Sequence, residues 1–156
     1  MKKISLVVIL ILISSGIFVL LKHKFAVQNM TGYVDNIEKV TLANTNFRQV
    51  VYTGQHAQLV VMSLKPSEDI GLEVHQTTDQ FLRVEQGEGK VVMNGVERLI
   101  KDGDAIIVPA GTEHNIINTS SERDLKLYTI YSPPHHKDGI VHKTKQDAIA
   151  DQTDHL

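Results

Sequence analysis

Residues 103–118, GDAIIVPAGTEHNIIN, contain two short apolar runs separated by a tight turn. The runs AIIV (105–108) and HNIIN (114–118) are rich in β-branched residues, which suit the pleated surface of a strand. Between them lies PAG (109–111), and a proline followed closely by a glycine is typical of a turn. The stretch therefore predicts two strands joined by a turn.

The same pattern extends upstream and downstream of this stretch. KVVM (90–93) and VERLI (96–100) flank Asn94 and Gly95, and an Asn-Gly pair between two such runs is a strong hairpin signal. Further short strands are predicted at QLVVMSL (58–64), LEVH (72–75), QFLRVEQ (80–86) and LKLYTIY (125–131). Seven or more such strands are enough to close an antiparallel barrel. Within this β-rich body of the chain, helix is predicted only in the tail, within residues 143–152.

Composition excludes several classes of function. The chain has 156 residues, of which 16 are basic and 18 acidic, giving a formal net charge of -2. This balance provides no broad basic face for a phosphate backbone, so nucleic acid is not an expected partner. The chain has no cysteine, which excludes disulfides, thiolate zinc sites and cysteine nucleophiles. Any bound metal must be held by His, Asp, Glu or Gln.

The amino-terminal region contains an unbroken uncharged run, residues 4–21, with lysines on both sides. As a helix the run would rise about 27 Å, close to the hydrocarbon thickness of a bilayer. A cleavable signal peptide has a shorter apolar core followed by small residues, whereas this run ends in leucines and then charge. We therefore expect a single-pass membrane anchor, or an uncleaved signal, over residues 1–24, and a linker over residues 25–31. The free amino terminus favours an extracytoplasmic domain.

Polar side chains occur at inward positions of the predicted strands. Because side chains alternate across a strand, Glu73 and His75 share one face, and Gln80 shares a face with apolar residues of its own strand. A carboxylate in an apolar interior is costly unless it is paired, and a metal ion beside a histidine offsets that cost. His114 begins a strand directly after a turn, where it can join the group from the rim. These four side chains are the candidate metal ligands.

At these residues the sequence resembles the cupin superfamily. The second cupin motif consists of Gly, five residues, Pro, any residue, Gly, two residues, His, three residues and Asn. It is present in full at Gly103, Pro109, Gly111, His114 and Asn118. The resemblance implies an all-β, antiparallel jelly-roll barrel over residues 32–142, followed by a short helix or tail over residues 143–156.

The first cupin motif is present with replacements. It usually consists of Gly, five residues, His, any residue, His, three or four residues, Glu, six residues and Gly. Here those places hold Ser67, Glu73, His75, Gln80 and Gly87. The exchange of His for Glu and of Glu for Gln keeps four potential ligands and the same formal charge. The resemblance thus implies one divalent ion bound by Glu73, His75, Gln80 and His114, and Zn, Mn, Fe, Co and Ni all suit this set.

The likeness extends over residues 32–148, which look like short bacterial cupins often labelled mannose-6-phosphate isomerase-like. It implies a metal-dependent enzyme that acts on a small sugar or hydroxycarbonyl compound by Lewis-acid chemistry. Candidates for the general base are Glu73, His135 and His136. An Fe-dependent dioxygenase would use the same ligands. Cupins also commonly pair through sheet edges, so a homodimer is expected.

Two alternatives to a metal-dependent enzyme remain open. One is a non-catalytic barrel that binds or senses a small ligand, and another is a metal-free barrel whose inward polar residues bind one another, as in seed-storage cupins. The segment SPPHHKDGIVH (132–142) carries His135, His136 and His142. We expect exposed loop histidines here, and a lid over the barrel mouth is the alternative.

Overall fold

The computed structural model describes residues 32–154, and from Val34 onward the described residues form one compact unit. Within this part of the chain two short helices, α1 (Ile37–Ala43) and α2 (Lys145–Ala150), lie before and after the strands. The ten strands of the described residues are β1 (Arg48–Thr53), β2 (Gln58–Leu64), β3 (Glu73–Val74), β4 (Asp79–Gln86), β5 (Glu88–Met93), β6 (Val96–Lys101), β7 (Ala105–Val108), β8 (Glu113–Asn118), β9 (Leu125–Ser132) and β10 (Val141–His142).

The strands form two antiparallel sheets. One has six strands in the order β10-β1-β2-β9-β4-β7, and the other has four in the order β3-β8-β5-β6. Apolar side chains of both sheets meet in one core, which includes Leu82 and Leu127 from the first sheet and Ile116 from the second. The antiparallel, cupin-like β part of the predicted fold is therefore confirmed, and the two helices make the fold mostly β instead of all-β.

Local sequence explains the regularity of these strands. In β9 the residues from Leu125 to Tyr131 alternate between buried and partly buried, as a strand with one face on a core requires. The hairpin predicted at Asn94 and Gly95 joins β5 to β6, with Met93 opposite Val96. Both turn residues have positive φ, 47° and 78°, which an Asn-Gly pair tolerates.

The prediction that helix is confined to the tail is wrong, because α1 also forms. Asn36 caps α1 by accepting a hydrogen bond from the Lys39 amide at 2.9 Å. Its seven residues, IEKVTLA, include three β-branched side chains, so the sequence alone gives little helix signal. The tail helix α2 lies inside the predicted stretch and begins with a reciprocal capping box between Thr144 and Asp147.

The predicted transmembrane helix, and with it the membrane attachment and single-pass location, must be corrected. Nowhere in residues 32–154 does a helix have the length and apolar character needed to cross a bilayer. Residues 4–21, on which the prediction was based, lie outside the described residues. The fold class is therefore stated as mostly β with antiparallel sheets, and neither the anchor nor the extracytoplasmic placement is retained.

Candidate metal centre

Both sheets contribute to one polar cluster inside the barrel. In the four-stranded sheet, antiparallel pairing of β3 with β8 places Glu73 opposite His114, and His75 follows directly after β3. Ligand atoms of these three residues all lie within 4.8 Å of one another. Gln80, on β4 of the six-stranded sheet, brings its Oε1 to 3.0 Å from His114 Nε2. The structure thus brings together all four residues that the sequence indicated.

The cluster is buried but reachable. His75, Gln80 and His114 are buried, whereas the Glu73 side chain keeps 24% of its exposure. A cavity of about 340 Å³ opens beside it, lined by Glu73, Val74, His75 and His135. Its size lies at the lower end of the range for small-molecule sites.

The tautomer of His114 follows from its two neighbours. Its Nδ1 lies 3.0 Å from the carbonyl oxygen of Thr112, which can only accept, so Nδ1 carries the hydrogen. Burial is the main cause that lowers the pKa of His114, so the ring is neutral near pH 7. Nε2 therefore presents a lone pair to the cluster. A histidine held in this way by a backbone carbonyl is oriented as metal-binding histidines are.

The contact between His114 and Gln80 indicates that a cation fits between these two side chains. As placed, the His114 Nε2 lone pair faces the acceptor Gln80 Oε1, and Gln80 Nε2 has no hydrogen-bond partner within residues 32–154. The repulsion is removed if the amide turns over to donate, or if one cation binds both atoms. Two ligands about 2.1 Å from one metal ion lie about 3 Å apart when the angle at the metal is about 90°, as in octahedral coordination, and this matches the observed spacing. The donor set fits a transition metal.

Glu73 is held between two basic side chains. Its Oε2 lies 3.4 Å from His75 Nε2, and its Oε1 lies 3.5 Å from Arg48 Nη2. Burial acts to raise the pKa of the Glu73 carboxyl, but the neighbouring His75 and the charge of Arg48 outweigh it. The pKa therefore lies below its usual value, and Glu73 is an anion at neutral pH.

The histidines of segment 132–142 divide into two groups. His135 is partly exposed, and its ring lies 4.2 Å from that of His75 at the cavity. His136 and His142 are buried, so the expectation of exposed loop histidines is wrong for these two. Their imidazoles are accommodated because Asp154 and Asp151 lie beside them, at 2.9 Å from His136 Nδ1 and 3.1 Å from His142 Nε2.

Sequence reasoning missed Arg48 and Asp154, which join the cluster from its outer side. Arg48 begins β1 and Asp154 follows α2, and their side chains form an ion pair at 3.2 Å. Nothing in their local sequence marks either residue as buried. The one available signal was the group of histidines at 132–142, since imidazoles need hydrogen-bond partners if they are buried.

A comparison with known families matches the central part of the barrel. The family profile described as "Cupin domain" matches residues 60–131, which run from β2 to β9. The chain belongs to the cupin superfamily. The resemblance noted in the sequence is thereby confirmed at the level of the superfamily.

Similar proteins support the same assignment. The uncharacterized protein YrkC of Bacillus subtilis is 51% identical to this cupin over 124 residues, covering 76% of this chain and 66% of that protein. The uncharacterized protein L612 of Acanthamoeba polyphaga mimivirus is 46% identical to this cupin. The match covers 70% of this chain and 70% of that protein. The crystal structure of BH2720 from Bacillus halodurans is 46% identical, with a TM-score of 0.76 over 79% of this cupin and 97% of that chain.

Several expectations stay predictions after these comparisons. The finer likeness to mannose-6-phosphate isomerase-like cupins, the homodimer and the division of the chain at residues 32, 142 and 143 are among them. What is established is a cupin in which the ligand atoms of Glu73, His75 and His114 lie close enough together to hold one metal ion.

Proposed function

We propose that this cupin binds one divalent transition-metal ion through Glu73, His75 and His114, with Gln80 as a fourth ligand. The observation that carries the proposal is the convergence of one carboxylate and two imidazoles within 4.8 Å. The Nε2 tautomer of His114 supports it, because that nitrogen offers a lone pair beside Gln80 Oε1. Zn, Mn, Fe, Co and Ni remain the candidate ions, since nitrogen and oxygen ligands suit all of them.

The proposed activity is an isomerase-like reaction on a small sugar or hydroxycarbonyl compound. A bound metal ion supplies Lewis acidity that polarises a substrate carbonyl. The cavity of about 340 Å³ supports a ligand of this size, and Glu73, His75 and His135 provide polar walls. Burial of the site limits water around the reacting atoms, which strengthens electrostatic interactions there.

His135 is the proposed general base among the three candidates. Glu73 is a poor base, because it is a ligand, contacts Arg48 and has a lowered pKa. His136 is buried and its Nδ1 contacts Asp154, so it does not line the cavity. His135 lines the cavity with its ring 4.2 Å from that of His75, which places it beside a substrate.

The metal is tested by elemental analysis of the full chain purified without a His tag. We expect about one transition-metal ion per chain in the wild-type protein and little metal in His75→Ala or His114→Ala. His56→Ala is the matched control, because His56 is an exposed histidine outside the cluster and should keep full metal content. Wild-type protein that stays metal-free after reconstitution with each candidate ion would disprove the metal centre.

The reaction is tested separately with loaded protein and a panel of sugar phosphates, uronates and hydroxycarbonyl compounds. We expect turnover that His135→Ala lowers by at least about 100-fold, the lower end for a general base, with metal content unchanged. Saturable binding of a panel compound without turnover would instead support the non-catalytic binding cupin.

A further inference from the structure

A buried ionic cluster lies directly outside the proposed metal centre. It consists of Arg48, His136, His142 and Asp154, all of which are buried. Asp154 belongs to the segment after α2, whereas the other three come from β1, from the loop after β9 and from β10. Only 1% of the Asp154 surface is exposed, and a carboxylate buried to this degree requires charged or hydrogen-bonding partners. Asp154 has such partners in Arg48 and His136.

Asp154 is fixed from several directions. Its Oδ2 lies 2.9 Å from His136 Nδ1 and 3.2 Å from Arg48 Nη1. Its backbone carbonyl accepts a hydrogen bond from the Lys137 amide at 2.9 Å. The loop that carries His136 is itself held, because the His136 amide donates to Gln58 Oε1 at 2.9 Å. The Asp154 carboxylate therefore has a defined position beside the guanidinium of Arg48.

Arg48 lies between two carboxylates. One nitrogen, Nη1, binds Asp154 at 3.2 Å, while Nη2 lies 3.5 Å from Glu73 Oε1. The contact to Asp154 is thus the shorter of the two. A guanidinium can bind a carboxylate through two parallel hydrogen bonds, and a Glu73 bound in that way would have fewer lone pairs for a cation.

The cluster itself is a poor cation site. A second metal ion at Asp154 would lie beside the permanently charged guanidinium, which is 3.2 Å from the same carboxylate oxygen. Arg48 already provides the positive charge that Asp154 requires. The cluster meets the proposed metal centre through the contact between Arg48 and Glu73.

We propose that Asp154 is a positioning residue for the metal centre. By binding Arg48, it keeps the guanidinium from pairing fully with Glu73, so that the Glu73 carboxylate stays available to the metal. The inference rests on the proposed function, because it presupposes that Glu73 is a ligand. Residues outside the ligand set that orient a ligand typically change metal affinity by about 10- to 100-fold when mutated.

The test is a competition titration of the full chain with Co²⁺ and a chromophoric chelator. In Asp154→Asn we expect the Co²⁺ affinity to fall by about 10-fold or more and the visible absorption of bound Co²⁺ to change. Asp151→Asn is the matched control. It removes the same charge from the same segment, but Asp151 binds His142, at 3.1 Å, and should leave affinity and spectrum as in the wild type. Thermal unfolding verifies that each variant is folded at the assay temperature.

A second comparison isolates the role of Arg48. In an Arg48→Gln background Asp154 has no guanidinium to hold, so adding Asp154→Asn should leave the Co²⁺ affinity unchanged. Comparing Arg48→Gln with the double variant also tests the proposal if Asp154→Asn alone does not fold, because the double variant leaves no unpaired buried guanidinium. A further loss of affinity in the double variant would show that Asp154 acts by another route and would overturn the proposal.

Co²⁺ binding by the wild-type protein distinguishes an error in the positioning role of Asp154 from an error in the metal centre. If wild-type protein binds Co²⁺ and Asp154→Asn binds it with the same affinity and spectrum, the positioning role is wrong and the metal centre stands. If wild-type protein binds no Co²⁺ while unfolding cooperatively, the metal centre is wrong and the positioning role falls with it.

Discussion

His114 makes the stability of the metal-free barrel depend on pH. Its folded-state pKa lies below the ordinary value of 6.5, mainly because the ring is buried. Below about pH 6.5 the unfolded chain therefore binds more protons at this residue than the folded chain does, and acidification favours unfolding. Glu73 also has a lowered pKa, but its stabilising contribution is lost only at pH values below the ordinary value of 4.5.

We expect the free energy of unfolding of chelator-treated protein to fall as the pH is lowered from 7.5 to 5.5. Denaturant titrations at intermediate pH values measure this slope. In His114→Gln the slope should be shallower, because glutamine does not titrate. An equal slope in wild type and variant would mean that His114 is not the residue responsible.

Single residues also show where sequence reasoning succeeds and where it stops. Alternation along short strands placed Glu73 and His75 on one face, and that placement requires only local periodicity. Arg48 and Asp154 are 106 positions apart, and Arg48 is 25 positions from Glu73. Their contacts depend on which strands pair and on where the segment after α2 packs, and neither property leaves a local pattern.

At the scale of the element, β4 and β6 differ in their position in the sheet and in the burial of their leucines. β4 lies inside the six-stranded sheet between β9 and β7, and its Leu82 has no exposed surface. β6 lies at the edge of the four-stranded sheet, and its Leu99 is 85% exposed. The same residue type therefore contributes very differently to stability in the two strands.

Leu82→Ala should reduce the free energy of unfolding by about 2–5 kcal/mol, because it removes buried methyl groups and leaves a cavity. Leu99→Ala, the matched control, should change it by no more than about 0.5 kcal/mol. Chemical denaturation of both variants under identical conditions provides the comparison. Similar losses in both would contradict the burial of β4 relative to β6.

Elements with their own turn or cap chemistry were predictable, and those formed through partners were not. The β5–β6 hairpin follows from Asn94 and Gly95 alone. β10 has only two residues, Val141 and His142, and is a strand because it pairs with Gln49 and Arg48 of β1. A two-residue strand has no periodicity, so its existence becomes visible only in the assembled sheet.

At the scale of the whole molecule, metal binding should stabilise the folded chain. The proposed ligands come from both sheets, so a bound ion would link β3 and β8 to β4. A ligand that binds only the folded state at 100 times its dissociation constant adds about 2.7 kcal/mol to the free energy of unfolding. The predicted centre can therefore be detected by its effect on the melting temperature.

Thermal unfolding in the presence of excess Zn²⁺, Mn²⁺ or Co²⁺ should give a higher melting temperature for wild-type protein than unfolding in chelator. His75→Ala should melt at nearly the same temperature in both conditions. His56→Ala should respond as the wild type does. A shift of equal size in His75→Ala would assign the stabilisation to metal bound elsewhere.

The position of β9 has a consequence for how the chain is made. β9 lies between β2 and β4, with Gln58 of β2 opposite Tyr131, so the six-stranded sheet cannot close until residues 125–132 have been synthesised. At about 5–20 residues per second, β2 waits several seconds on the ribosome for β9, with only β1 available to pair with it. Such long-range pairing also folds slowly, on a scale of about milliseconds to seconds. During this interval the apolar strands of the nascent chain are open to misassociation, so additional chaperone capacity should increase the yield of folded protein.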